Sequence, residues 1–589
     1  MTAAGTTPGS APVASVTVPT PWYPTPFNRM GGSFVAEYAR LVTRVADRVH
    51  VVHAQEWPGG TADAPAPWRP AFDAVLDRLA AAGGLRVSGA AGPVTRVPVF
   101  TVGGATIPQR AEAMVRDVRR AVGSFDSAVV HGHVGYWGGL LAARLADPAA
   151  AVFATEHSTG LRDVLADPAG RDHYEELLER ATRVFCVSAL LRDQVLAELP
   201  QFADVVEVLH NPVEFRHVPI RTVPVSRLDR WVFVGGLIER KGVERLVRAF
   251  CAVARDEPAV SLTLFGEGPL KETLIRLATD AGVGERLHIP GVVRHGQLLA
   301  ELPGYDLLLA PSTYETFHLA VVEGVAAGLP VIVTRSGGPQ EALAGVEDLV
   351  GRFVDVEDSP DALVDAYREL SGVLDRLDLD GARKQLDARF GPDAIAGRLA
   401  QAYGVDAAAV RGRERPTPPA DPGVDPSRVV LLAGTAWRRY SVEQELAAVR
   451  QLDVPTVVVT GDSQVTAWSE GLPVVGPAGV EPAGVQRAGV EPAGAEPADV
   501  RGTPQEPLAV AARRVAGRLK RRLQGRPSAV PPRAARLAPE DLDAATLVVT
   551  DCQSMPIAER LAAAHPQLKL AVELDRGGRL GPPPDARDD

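Results

Sequence analysis

Two glutamates eight residues apart are the residues in this sequence with the clearest chemical potential. Glu315 and Glu323 lie in YDLLLAPSTYETFHLAVVEG, where an apolar run gives way to a helical pattern. The pattern predicts Glu315 in the loop after a buried strand and Glu323 inside the following helix, so both can face the carboxyl edge of a sheet. Carboxylates accept strong hydrogen bonds from the hydroxyls of a sugar. Taken alone, however, a pair at this spacing favours two ordinary surface glutamates.

The start of the predicted helix is a second candidate feature. We expect the backbone amides of four consecutive residues to form its N-terminus: Thr316, Phe317, His318 and Leu319. The first amides of a helix have no acceptor within the helix, and the helix dipole places partial positive charge there. This end of the helix is therefore a candidate site for an anion such as a diphosphate.

Strand-like and helical segments alternate through the first two-thirds of the chain and must position these residues. The strand-like segments form two sets: PVASVTVP, RVHVVHA (48–54), SAVVHGH (127–133) and AVFATEH (151–157), then WVFVG (231–235), SLTLFG (261–266), DLLLAPS (306–312) and PVIVT (330–334). Such repetition predicts an α/β fold with parallel, doubly wound sheets. The simplest arrangement is two Rossmann-like domains that face a cleft.

The composition changes near residue 406. We predict a Pro-rich linker at 406–426, an accessory, incomplete Rossmann-like segment at 427–476 and 540–576, and a disordered low-complexity insertion at 477–507. The accessory segment contains no second pair of glutamates at the spacing of Glu315 and Glu323, so we expect it not to be independently catalytic. Residues 508–526 have the pattern of a basic amphipathic helix, which fits either contact with an anionic membrane surface or a solvated connector.

Composition and charge exclude several classes of protein. The chain has 589 residues, 46% of them hydrophobic, and a formal net charge of −11. These values exclude global disorder and argue against non-specific binding to nucleic acid. Three cysteines are too few for a disulfide framework. Neither a signal peptide nor a membrane-spanning run is evident, so the sequence predicts a cytoplasmic protein, either free or peripheral at the inner face of the cell membrane.

Ten segments, in order, resemble the retaining family 4 glycosyltransferases of GT-B fold, also called glycosyltransferase group 1. They are PWYPTPFNRMGGSF (21–34), TEHST (155–159), RVFCVSALLRD (183–193), VLHNPVE (208–214), VGGLIERKGVERLVRAF, FGEGP, HIPGVV, PSTYETFHLAVVEG, LPVIVTRSGGPQE and RFGPDAIAGRLAQAY (389–403). Each segment alone is a weak signal, but their order and spacing over residues 13–405 are specific.

The resemblance implies a division of labour between domains. We expect a disordered N-terminus at 1–12, an N-terminal acceptor domain at 13–212, a C-terminal domain for the nucleotide-diphosphate sugar at 213–390, and a crossover helix at 391–405 that returns to the first domain. In this family no cofactor and no divalent metal are required, because basic residues neutralise the departing diphosphate.

The resemblance also implies roles for individual residues. Glu315 corresponds to the first glutamate of an E-x7-E motif, near the donor sugar, and Glu323 corresponds to the second, near the ribose. Lys241 occupies the place of a phosphate-binding lysine. Only five of the 62 basic residues are lysines, so a lysine here, where the chain otherwise uses arginine, is itself informative. His157 matches a histidine near the reacting sugar, with a role in donor positioning or electrostatic support.

Further donor contacts complete the predicted site. The paired glycines of the first loop would let the backbone approach the diphosphate, and HIPGVV (288–293) would receive the base. The catalytic set is Glu315, His157 and Lys241, and the donor-binding set is Gly31, Gly32, Gly235, Arg240, Lys241, Val292, Thr316, Phe317, His318, Leu319 and Glu323.

Three positions depart from the family pattern. Gly236 stands where the family usually has an arginine, so Arg240 is expected to supply that phosphate contact. His318 stands in place of a glycine and puts an imidazole at the start of the helix. Gly324 replaces an alanine. The departures leave both glutamates and Lys241 in place, and they concern sugar specificity.

The sequence thus predicts a retaining glycosyltransferase that moves a sugar from a nucleotide-diphosphate sugar to a glycan, lipid-linked or small-molecule acceptor, in glycan or cell-envelope polysaccharide biosynthesis. The alternatives are a GT-B sugar-nucleotide epimerase or phosphorylase, or a non-catalytic scaffold that binds nucleotide or glycan.

Two other motifs have simpler interpretations. His131 and His133 form an H-x-H at a strand end without a third metal ligand, so we expect a structural or cleft-lining role. Asp378 and Asp380 form a D-x-D that does not follow a buried strand, and we expect a solvated charge pair.

Overall fold

The computed structural model describes residues 12–25, 31–61, 69–293, 295–357 and 359–406. In the C-terminal part it describes 429–433, 446, 456–460, 465–466, 469, 472, 474–475, 545–551 and 554–572. Nearly all of the predicted disordered N-terminus and of the Pro-rich linker lie outside the described residues. The low-complexity stretch and the basic helix at 508–526 lie outside them as well, so a membrane contact through that helix stays a prediction.

The first sheet has eight strands: β1 Val16–Thr20, β2 Val49–Thr61, β3 Arg86–Val87, β4 Val94–Gly103, β5 Val129–His133, β6 Ala151–Glu156, β7 Arg183–Cys186 and β8 Val206–Val208. Their order is β3-β4-β2-β1-β5-β6-β7-β8, and all neighbours are parallel except β3 and β4. The accompanying helices are α1 Ser33–Val42, α2 Arg69–Ala81, α3 Ile107–Val122, α4 Leu140–Leu145, α5 Leu161–Ala166, α6 Pro168–Arg180 and α7 Ala189–Glu198. Strands β1 and β5 are buried throughout, because helices cover both faces of a parallel sheet.

The second sheet has six parallel strands: β9 Arg230–Val234, β10 Ser261–Phe265, β11 Leu287–Gly291, β12 Leu307–Ala310, β13 Val331–Thr334 and β14 Gly351–Val354. Their order is β11-β10-β9-β12-β13-β14. Its helices are α8 Val243–Asp256, α9 Lys271–Asp280, α10 His295–Glu301, α11 Leu319–Ala326, α12 Gly338–Ala342, α13 Glu347–Val350, α14 Asp361–Ser371 and α15 Leu379–Phe390. The α/β class with two Rossmann-like sheets is therefore confirmed.

The strand order brings the predicted site together. Strand β9 pairs with β12, and β12 pairs with β13, so the loops that follow these three strands lie side by side at the carboxyl edge. The loop after β9 carries Lys241, and the loop after β12 carries Glu315. In parallel sheets this edge is where ligands bind.

A last helix of this region, α16 Pro392–Ala402, packs against the first sheet. Its apolar residues, among them Ile395 and Leu399, share a core with α1, β1 and β2. Just beyond it, the hydroxyl of Tyr403 lies 2.6 Å from Nδ1 of His131. Both residues are buried, so the end of α16 is fixed to the first sheet by packing and by a hydrogen bond.

The accessory segment forms a third sheet. Its five parallel strands are β15 Val429–Leu432, β16 Thr456–Val459, β17 Val474–Val475, β18 Thr546–Val549 and β19 Lys569–Ala571, in the order β17-β16-β15-β18-β19. One described helix, α17 Met555–Ala564, lies between β18 and β19 in the chain. The smaller C-terminal α/β segment of the predicted fold is confirmed. Among the described residues, no helix combines the length and apolarity that crossing a membrane requires.

The third sheet shares a hydrophobic core with the first. Phe72, Leu76 and Leu79 of α2 belong to one cluster with apolar residues of β15, β18 and α17. Hydrogen bonds cross the same contact, because Arg78 donates to the carbonyl oxygen of Ala562 at 2.8 Å. Removing the third sheet would uncover apolar side chains of α2, so a truncation would disturb the first domain as well as the tail.

Gly84 is the closest backbone approach between these two parts of the protein. A Cβ at Gly84 would overlap the carbonyl oxygen of Leu570. We therefore expect Gly84→Ala to lower the midpoint of thermal unfolding, by the about 1–3 kcal/mol that overpacking typically costs. Gly397→Ala in α16 is the matched control, because a Cβ there meets no atom within 4 Å and alanine favours a helix. Equal midpoints for the two variants would show that the third sheet is not held at this contact.

Candidate active site

The loop after β12 holds Glu315 by backbone hydrogen bonds to the loop after β13. The amide of Glu315 donates to the carbonyl of Ser336 at 2.9 Å, and the amide of Gly338 donates to the carbonyl of Glu315 at 2.8 Å. A Cβ at Gly338 would overlap the backbone of Thr316 and Phe317. A glycine is therefore required where these two loops meet.

The carboxylate of Glu315 is buried and paired with basic residues. Its Oε1 lies 2.7 Å from Nζ of Lys241 and 3.5 Å from the guanidinium of Arg240. Burial raises the pKa of Glu315, but the neighbouring His318 and Lys241 outweigh that effect and hold the pKa at about 2. Glu315 is therefore ionised at neutral pH, and it neutralises Lys241 in the absence of a ligand.

Helix α11 begins later than predicted. It starts at Leu319, and His318 precedes it in a left-handed conformation with φ +77°. Thr316 and Phe317 consequently lie in the loop and not in the helix. Among the described residues, none accepts a hydrogen bond from the amides of Phe317, His318 or Leu319. These amides leave the predicted anion site in place, although a loop supplies most of it.

Glu323 lies inside α11, as predicted, and pairs with a histidine that sequence reasoning missed. Its Oε1 is 2.7 Å from Nε2 of His295, the first residue of α10. Burial lowers the pKa of His295, but the hydrogen bond and charge of Glu323 outweigh that effect, so the pKa is raised. The available signal was the position of His295, immediately after the stretch expected to receive the base.

The loop that carries His157 is fixed by a buried carboxylate. Oε1 of Glu156 accepts hydrogen bonds from the amides of His157, at 2.9 Å, and Ser158, at 2.8 Å, and its Oε2 accepts one from the amide of Tyr136. Burial raises the pKa of Glu156 despite these bonds. Glu156 was not singled out from the sequence, because its function depends on a fold that turns three amides toward it.

His157 itself is a neutral imidazole in a stack of aromatic rings. Its Nε2 lies 3.1 Å from Nδ1 of His133, and its ring centroid is 4.5 Å from that of Phe34. Burial lowers the pKa of His157 to about 3, so at neutral pH it acts by hydrogen bonding and not as a cation. The amide of Asn211 is close to Nδ1 of His157, yet that nitrogen has no hydrogen-bond partner among the described residues.

The two other motifs have structural contacts. His131 bonds Tyr403 and Thr155, and it stacks on His133 with centroids 4.7 Å apart. Within the described ranges, no group of three or more His, Cys, Asp or Glu residues could hold a metal ion. Asp378 caps α15 by accepting a hydrogen bond from the amide of Gly381.

The two sheets meet at these loops. The hydroxyl of Thr316 donates to the carbonyl of His157 at 3.3 Å. Nearby, Gln194 of α7 donates to the hydroxyl of Tyr314, and Glu341 of α12 accepts from the amide of Ala189. The first domain's histidine and the second domain's glutamate are thus brought together by direct contacts.

The remaining predicted residues fall into two groups. Gly32 has φ +72°, and a Cβ there would overlap the backbone of Trp22, so local packing already requires this glycine, whereas Gly31 precedes it at the start of the same turn. The side chain of Phe317 lies in the core between His210 and Phe390, which leaves only its backbone for a ligand.

The second group lies at the strand ends. Val292 is 55% exposed beyond β11. Gly235 directly follows β9, with its α-carbon side open toward Lys241, whose Cε would lie 3.6 Å from an added Cβ. Arg240 donates to the carbonyl of Tyr314 at 2.8 Å, and this bond holds its guanidinium beside Glu315.

Comparison with known proteins identifies the class to which this fold and site belong. Residues 226–372 match the family model described as Glycosyl transferases group 1, and residues 77–216 match the model described as Glycosyltransferase Family 4. The two matches fall on the two Rossmann-like domains, which together define a GT-B glycosyltransferase. The chain belongs to the group 1 family of these proteins.

Individual relatives cover only part of the chain. Glycogen synthase of Mycobacterium tuberculosis is 30% identical over 257 residues, which are 41% of this chain and 58% of the synthase. A GDP-mannose-dependent phosphatidylinositol monomannoside mannosyltransferase of the same species is 33% identical over 178 residues, which are 29% of this chain and 46% of that enzyme. Sucrose-phosphate synthase from Thermosynechococcus elongatus has a similar fold, with a TM-score of 0.51 and 18% identity over 66% of this chain and 98% of that structure.

The Lys241–Glu315 pair makes stability depend on pH in a predictable direction. The pKa of Glu315 falls from 4.5 to about 2 on folding, so the pair stabilises the fold above pH 4.5 and this contribution is lost as the pH falls toward 2. Lys241→Met should raise the pKa of Glu315 and shift the midpoint of acid unfolding to higher pH.

The matched control is Lys271→Met. Lys271 pairs with Glu267 on the surface, where an ion pair contributes little, so its acid midpoint should equal that of the wild type. An unchanged midpoint in Lys241→Met would mean that Arg240 alone neutralises Glu315.

Proposed function

We propose that this protein is a retaining, metal-independent glycosyltransferase. It would move a sugar from a nucleoside-diphosphate sugar to a glycan, lipid-linked or small-molecule acceptor in glycan or cell-envelope polysaccharide biosynthesis. The observation that carries the proposal is the buried Lys241–Glu315 pair at the carboxyl edge of the second sheet, in contact through Thr316 with His157 of the first domain.

The charge distribution supports binding of a diphosphate. Lys241, Arg240 and the amides of Phe317, His318 and Leu319 supply positive charge and hydrogen-bond donors on one side of the cleft. When the donor is bound, the diphosphate would take Lys241 as its partner. Positive charge that is already in place stabilises the negative charge that develops on the leaving group.

The released carboxylate of Glu315 would then accept hydrogen bonds from hydroxyls of the donor sugar. The neutral imidazole of His157 would contribute its Nδ1, which has no hydrogen-bond partner among the described residues. The bond between the anomeric carbon and the diphosphate oxygen breaks, and a bond from that carbon to the acceptor oxygen forms on the same face. The acceptor's proton passes to the departing diphosphate.

The nucleotide half of the donor would occupy the neighbouring edge. Glu323 is placed to accept hydrogen bonds from ribose hydroxyls, and His295 holds its carboxylate in position at 2.7 Å. The exposed residues at the end of β11, including Val292, would contact the base. The relatives support this donor class, because one is named as GDP-mannose-dependent.

A panel of UDP-, GDP- and ADP-hexoses tests the proposal. At least one donor should raise the melting temperature of the full-length protein and be hydrolysed slowly to the nucleoside diphosphate in the absence of acceptor. An epimerase would instead return an altered nucleotide sugar, and a scaffold would show binding without turnover. If no donor is stabilising or hydrolysed, the proposal is wrong.

Substitutions at the site provide the second test. Lys241→Met and Glu315→Gln should each lower donor turnover about 100- to 1,000-fold, the typical effect of removing one electrostatic contact to a developing charge. The matched controls are Lys271→Met and Glu244→Gln, which break only surface ion pairs and should keep wild-type turnover. Wild-type rates in Lys241→Met and Glu315→Gln would contradict the assignment of the site.

A further inference from the structure

His318 is held in a backbone conformation that a histidine rarely adopts. Its φ of +77° lies in the left-handed region, and it is one of two non-glycine residues with positive φ in the described part of the chain. Side chains with a Cβ are strained in this region, whereas glycine is not. Such strain persists where the surrounding structure imposes it, and it is concentrated at functional sites.

The side chain of His318 is also unsatisfied. The ring is only 3% exposed, and its Nε2 has no hydrogen-bond partner among the described residues. The Oε1 of Glu315 is 3.9 Å away, which is beyond hydrogen-bonding distance. A buried polar atom without a partner destabilises the fold, so neither the backbone conformation nor the burial of His318 is explained by packing.

The protonation state of His318 is set by its surroundings. Burial lowers its pKa to about 4, although the charge of Glu315 acts in the opposite direction. Lys241 and Arg240 lie on the same carboxylate and oppose a further positive charge. The ring is therefore neutral at pH 7 and carries one N–H donor.

The gap between His318 and Glu315 fits one hydroxyl group. An oxygen about 2.8 Å from both Nε2 and Oε1 would see the two atoms at an angle of about 90°, which suits a hydroxyl that accepts one hydrogen bond and donates another. A proton on Nε2 would donate to that oxygen, and the hydroxyl would donate its own proton to the carboxylate. A substituent larger than a hydroxyl would meet the imidazole.

We propose that His318, together with Glu315, recognises one free hydroxyl of the donor sugar and so selects hexoses that carry a hydroxyl, rather than a hydrogen or an acylated amine, at that carbon. The inference rests on the proposed function, because it deepens the role of the same donor site. Its basis is the 3.9 Å gap between two buried side chains, one of which has no partner and holds a strained backbone.

His318→Gly tests the inference without risk to the fold. Glycine adopts φ +77° without strain, so the variant should have a higher melting temperature than the wild type. It should also lose about 10- to 100-fold in kcat/KM for the preferred nucleoside-diphosphate hexose, the range typical for a lost hydrogen bond to a buried group. His318→Asn, which tolerates this backbone and offers an amide donor, should recover part of that loss.

Monodeoxy analogues of the preferred donor locate the hydroxyl. For one analogue, His318→Gly and the wild type should have equal kcat/KM, because the contact is already missing. For the other analogues the difference between the two proteins should persist. The variant should also accept the acylamino donor that the wild type discriminates against.

Two results would overturn the inference, and each is distinct. If His318→Gly gains stability while its kcat/KM and its ranking of donors equal those of the wild type, His318 has no part in recognition. If the wild type neither binds nor hydrolyses any donor of the panel, the proposed function fails and this inference fails with it.

Discussion

The buried ion pair of Lys241 and Glu315 is the interaction on which the rest of the site depends. Two charges can be taken out of water only when they are close and well oriented, because desolvation otherwise exceeds their attraction. The pairing of β9 with β12 brings their two loops together, and glycines let them approach. A Cβ at Gly242 would overlap the carbonyl of Pro311, just as one at Gly338 would overlap the loop of Thr316. The glycines next to the site are therefore part of what holds the pair.

The sequence allowed the strands and the charged residues of the site to be predicted, because both depend on local pattern. Continuous apolar runs mark buried parallel strands, and motifs in a fixed order identify the loops that follow them. The partners of those residues could not be predicted. His295 meets Glu323, and Glu156 meets three amides, only because separate elements converge in the fold. The start of α11 was placed too early because His318 adopts a conformation that its residue type does not favour.

The third sheet shows the same division between local pattern and tertiary contact. Its strands were evident as apolar runs, but its docking on α2 was not. An amphipathic helix indicates which of its faces is buried, and it does not indicate what covers that face. Phe72 and Leu76 would look the same under a loop, a second copy of the chain or the accessory segment. Only Gly84, which has to be small beneath Leu570, records the contact in the sequence, and one glycine in a turn has many explanations.

The site is arranged so that it becomes satisfied only when it is occupied. In the unliganded protein Lys241 and Glu315 neutralise each other, while Nδ1 of His157 and Nε2 of His318 have no partners among the described residues. Under the proposed function, a nucleoside diphosphate alone would take Lys241 and leave Glu315 buried without its partner, at a cost in free energy. A nucleotide sugar would replace both partners at once, with phosphate for the lysine and hydroxyls for the glutamate. The ion pair would then favour the complete donor over the spent nucleotide, and the same pair would re-form as the product leaves.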